Sequence, residues 1–160
     1  MSGAAPIEIA SGRRSPRGGA VRRTAGRLHL LAAAAVVLGV FAQVYLIGAY
    51  VFGAGAGALD AHRSVGFTIH GVEVLVLVLA LVAGLARADV VLSLVLALVG
   101  TIQIALAGGD RWVGGLHPLF ALVVLALAAT LVRRGRPRLP YASAGTAPSA
   151  ASRRAREMSR

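Results

Sequence analysis

Four long apolar runs, parted by short polar breaks, constrain this chain of 160 residues more than any other feature. They fall at about residues 28–52, 64–86, 90–108 and 112–132. An α-helix needs roughly 20 such residues to cross a bilayer, and each run reaches or approaches that length. In hydrocarbon every backbone polar group must be satisfied within the structure, and for runs of this kind that means a helix. A hydrophobic share of 57% and a mean hydropathy of +0.75 agree, since a soluble globular chain is less apolar. The expected fold is all-α: an integral membrane antiparallel four-helix bundle with disordered basic tails.

The charge lies outside the runs. All seventeen basic side chains are Arg. Six fall in residues 1–27, eight in the tail after residue 132, and Arg87 lies between the second and third runs. Only Arg63 and Arg111 fall in the other two breaks. By the positive-inside rule this asymmetry predicts a multi-pass protein of the plasma membrane with both termini cytoplasmic. Residues 1–27 and 135–160 then read as disordered cytoplasmic tails and residues 28–134 as the transmembrane domain. The basic tails suit anionic lipids better than nucleic acid, and a short basic helix near residues 149–160 would lie on that leaflet. Ser15 and Thr24, beside Arg pairs, have a kinase-site pattern that is also common by chance. The first run is longer than the 7–15 residues or so of a signal-peptide core, so Ala54-Gly55-Ala56 does not read as a cleavage site. The chain has no Cys, which excludes disulfides and thiolate metal sites.

Polar residues inside the runs carry the functional reading. An ionisable group costs about 2.5–3.5 kcal/mol at the centre of a membrane helix, so such groups face the bundle interior and often mark function. Counted from the flanking cytoplasmic Arg, Gln43, His70, Gln103 and His117 lie 16 or 17 residues deep, which is about 24–26 Å at the helical rise. One polar residue per run thus falls on one level. Seams of period 3.5 run through these residues: Gly66, His70, Glu73, Leu77, Ala80 and Gly84 in the second run, Asp89, Ser93, Leu96, Gly100, Gln103 and Ala107 in the third. His29, Ala32, Val36, Gly39 and Gln43 continue the pattern in the first run, and His117, Ala121, Val124, Ala128 and Leu131 in the fourth. Small residues on such seams let membrane helices approach closely. Pro118 fits a first helical turn, so the last helix is expected to begin near His117, with Trp112 as an interfacial anchor.

Gln43 then His70, and Gln103 then His117, read as two halves of a pseudo-repeat. Helix-borne histidines at one depth suit the axial ligands of a b-type haem. His70 and His117 are the expected ligands, with His62 as a competitor. Arg63 is placed for a propionate, and Gly39 and Gly66 leave room for a flat ring. Glu73 reads as a proton carrier, or as a hydrogen-bond partner of His70, Gln43 or Gln103. His29 reads as an interfacial residue. The alternative is a structural or accessory membrane protein, self-associating or not, whose buried His, Gln and Glu only specify helix packing.

Gln43, Ala61-His62-Arg63 with Gly66, His70, Gln103 and Leu116-His117-Pro118 resemble a family of small four-helix bacterial membrane proteins, common in actinobacteria and classed as a domain of unknown function. The resemblance covers about residues 28–134 and implies a fold but no reaction. More distantly, the paired helix-borne His and the His-Arg at a helix start are similar to haem-carrying bundles of the cytochrome b561 type and to halves of haem A synthase. That likeness implies haem and keeps His62 beside His70 as a ligand opposite His117. A haem A synthase uses two such bundles, so one bundle does not imply that enzyme's activity.

Overall fold

The computed structural model describes residues 16–136. They form α1 (Pro16–Val51), α2 (Ala56–Ala83), α3 (Arg87–Ala107), a single turn α4 (Arg111–Gly114) and α5 (His117–Gly135), with no strand among the described residues. Four of these stretches are long and apolar enough to cross a membrane.

The helix boundaries have local causes. Gly53 and Gly55 take φ of 92° and 81°, values open to glycine at no steric cost, and so turn the chain between α1 and α2. Gly84, at φ 60°, ends α2. Its neighbour Leu85 donates back to Ala80 O at 3.1 Å, the six-to-one bond of a Schellman turn. Arg22 of α1 then caps the exposed carbonyls of α2, donating to Ala83 O at 3.1 Å and Gly84 O at 3.3 Å. Asp110 caps α4 by accepting from Trp112 N and Val113 N. Pro118 sits in the first turn of α5, where its missing N–H is harmless.

α1 packs on α2 and α5, and α3 packs on α2 and α5, which closes a ring. The diagonal pairs are α1 with α3 and α2 with α5. Residue numbers rise along α1 as they fall along α2: Gly26 lies beside Ala83, Gly39 beside Ile69, and Gln43 bonds to His62. The centre holds Ala33, Val36, Val40, Val76, Leu96, Val124, Ala128 and Leu131. Bulky apolar side chains point outward instead; Leu38 is 70% exposed and Phe41 61%. A bundle that is small inside and greasy outside is the pattern of a membrane helix bundle.

Three boundaries differ from those expected. α1 starts at Pro16, so residues 16–27 are helical where their polar composition predicted disorder. Ala25 is buried there, and Arg22 is occupied at the end of α2. α2 starts at Ala56 rather than Ser64, which puts His62 and Arg63 inside a helix. α3 starts at Arg87 rather than Val90, whereas α5 starts at His117 as expected, with Trp112 ahead of it in α4. Ser15, residues 137–160 and the helix expected near 149–160 lie outside the described residues.

Candidate functional site

The polar residues of the bundle fall into three separate groups. The first lies at the end that holds the α1–α2 turn and α4. Gln43 Nε2 donates to His62 O at 2.9 Å, and His62 Nδ1 returns a bond to Gln43 O at 3.2 Å. On the other side of the ring, His117 Nδ1 bonds to Gln103 O at 2.8 Å. A carbonyl only accepts, so each Nδ1 must carry the hydrogen. Both imidazoles are thereby held, when neutral, as the tautomer whose Nε2 bears the lone pair. Neither Nε2 has a hydrogen bond among the described residues. The two rings meet across the α2–α5 diagonal, with centroids 6.2 Å apart and planes at 79°.

The second group lies deeper. His70 Nδ1 is 2.9 Å from Glu73 Oε2, and Glu73 is fully buried. One proton, on the carboxyl or on the ring, holds that contact. Thr101 gives its hydroxyl hydrogen to Ala97 O at 2.9 Å, so it can only accept at the long 3.5 Å approach of His70 Nε2. Gly100 is what lets α3 come this close. A Cβ there would strike Glu73 Oε2 and come within 3.0 Å of His70 Nδ1.

The third group lies at the end where α1 begins and α5 ends. Ser93 donates to Asp89 O at 2.8 Å and therefore accepts from His29 Nε2 at 3.1 Å. His29 is buried against α3 and is not the interfacial residue that its position beside Arg27 suggested. Asp89 also pairs with Arg134.

The structure therefore brings His62, not His70, to His117. His70 lies eight residues along α2 from His62, about 12 Å at the helical rise. The halves that match are Gln43 with His62 and Gln103 with His117. Gln43 Oε1, Gln103 Oε1 and Glu73 Oε1 are buried without a hydrogen-bond partner among the described residues. Neither expected hollow is open: Ile69 fills the space beside Gly39, and the Gln43 carboxamide fills that beside Gly66. Arg63 is exposed and pairs with Asp60 at 3.5 Å. Among the described residues no three His, Cys, Asp or Glu converge as a protein-only metal cage. Comparison with family models, with curated proteins and with solved structures returned no match.

Proposed function

We propose that the chain crosses the membrane four times as an antiparallel bundle, with both termini cytoplasmic, and holds one b-type haem between His62 and His117 near its outer end. It would serve electron transfer or the handling of haem. One observation carries the reading: two imidazoles on diagonal helices, each fixed through Nδ1 to a main-chain carbonyl, lie with centroids 6.2 Å apart, and neither Nε2 has a hydrogen bond among the described residues. A carbonyl that accepts from one ring nitrogen fixes the tautomer and orientation of an imidazole that binds a metal through the other. His62 and His117 would hold the group.

When bound, haem would supply reversible one-electron chemistry. The protein's part is to bind and orient. The main-chain carbonyls of Gln43 and Gln103 set the two ring tautomers. Arg63, next to His62 and tied only to the exposed Asp60, is free to turn towards a propionate. Ring space has to come from between α2 and α5, the diagonal pair, because the hollows at Gly39 and Gly66 are taken.

Haem-replete expression and purification in mild detergent test this. The expected result is a Soret band that shifts on dithionite reduction, with the sharp visible bands of a low-spin centre. Loss of those bands is expected in His62→Ala and in His117→Ala. Colourless protein after reconstitution would refute the haem reading. The reciprocal Gln43–His62 bonds would then stand as devices that fix helix register, each contributing about 0.6 kcal/mol.

A further inference from the structure

The end of the bundle where α1 begins and α5 ends holds a cleft beside the His29–Ser93 group, with which it shares Asp89 and Arg134. The first turn of α3 and the last turn of α5 meet there, and Asp89, Thr130, Arg133, Arg134 and Arg136 line a space of about 460 Å³. Asp89 accepts from Arg134 Nε. Thr130 gives its hydroxyl hydrogen to Ala126 O at 2.8 Å. What those two bonds leave over defines the chemistry of the cleft. Three guanidinium groups against one carboxylate make it positive. Thr130 Oγ1 and the second oxygen of Asp89 remain as acceptors, because a carboxylate takes several hydrogen bonds.

We propose that this cleft binds the headgroup of an anionic phospholipid of the phosphatidylglycerol type. The phosphate oxygens suit the planar forks of Arg133 and Arg136. The headgroup hydroxyls suit Asp89 and Thr130, which a bare phosphate monoester leaves unused. A choline headgroup brings a cation towards three guanidinium groups and is disfavoured. The proposal rests on the cytoplasmic placement of the termini, which puts the cleft at the phosphate level of the inner leaflet, where anionic lipids attract Arg.

The test uses the full chain, freed of anionic lipid in detergent. Native mass spectrometry and thermal unfolding would follow titration with phosphatidylglycerol, phosphatidic acid, phosphatidylcholine and inorganic phosphate. Saturable binding of phosphatidylglycerol is expected, at least about fivefold tighter than phosphatidic acid. Arg133→Ala with Arg136→Ala should weaken it about tenfold. Arg23→Ala with Arg27→Ala, which removes two charges from the same end outside the cleft, should change it less than about twofold. Thr130→Val, an exposed near-isosteric change, should erase the preference over phosphatidic acid. Equal losses in the two double variants would reduce the effect to diffuse attraction and overturn the site. Equal affinity for phosphatidic acid, or the same stabilisation by inorganic phosphate, would overturn the lipid assignment. Detergent binding does not depend on which side the termini face, so failure of the topology and failure of this site are distinct results.

Discussion

Gly100→Ala adds one methyl group against the contact between His70 and buried Glu73. The new Cβ would land on Glu73 Oε2 and crowd His70 Nδ1. Either α2 and α3 move apart or the Glu73 carboxyl turns away from His70. Overpacking of this kind costs about 1–3 kcal/mol. Losing the His70 bond strands a fully buried carboxyl oxygen, at about 1–3 kcal/mol more. The gain in helix propensity on replacing Gly returns about 1 kcal/mol. The expected net loss is about 1–5 kcal/mol, read as a shift in detergent-titrated unfolding in mixed micelles. Gly71 in α2 is the control: it is exposed, and a Cβ there meets nothing within 4 Å, so Gly71→Ala should be neutral or stabilise by up to about 1 kcal/mol. A double-mutant cycle sharpens the test. In a Glu73→Ala background the penalty for Gly100→Ala should largely disappear, because the colliding group is gone. Equal effects at Gly71 and Gly100, or an unchanged penalty without Glu73, would refute the packing argument.

Gly84→Leu should lower stability by about 1–2 kcal/mol through its left-handed φ and the displaced Arg22 cap, whereas the exposed Val82→Leu should change it by less than about 0.5 kcal/mol; the same unfolding assay reads both. Ser93→Ala removes the acceptor of buried His29 and should cost about 1–3 kcal/mol, while Ser64→Ala, exposed on α2, should be close to neutral. Reporter fusions after Arg87 and after Gly135 should report cytoplasm, and a fusion within Gly53–Gly57 the outside; an outside signal from the fusion after Gly135 would contradict the four-span topology.

The interior seams were legible because close packing leaves a periodic trace of small residues. Ser93, Leu96 and Gly100 on α3, and Val124, Ala128 and Leu131 on α5, are buried as their 3.5-residue spacing predicts. Gly84 carries the same spacing yet serves as a helix cap, since α2 has ended at Ala83. The polar segment 16–27 misleads for a related reason: composition does not show that Ala25 is buried or that Arg22 reaches α2. Depth counted from Arg87 failed for His70 because α2 ends at Ala83, four residues before Arg87, so His70 lies nearer that end than the count implies. The usable signal lay in the turns. Residues equidistant from a tight turn face each other, and Gln43 with His62 straddle the Phe52–Gly55 turn much as Gln103 and His117 straddle the loop around Asp110. Side-chain tautomers and the 6.2 Å approach of two rings on diagonal helices leave no such trace in sequence.

The most direct measurement of the central reading is the low-temperature electron paramagnetic resonance spectrum of the oxidised, haem-reconstituted protein. With His62 and His117 holding the haem, a low-spin ferric signal is expected. It should persist in His70→Ala and disappear in His62→Ala and in His117→Ala. A low-spin signal that survives His62→Ala and is lost in His70→Ala would contradict this site and move the ligand to the deeper histidine.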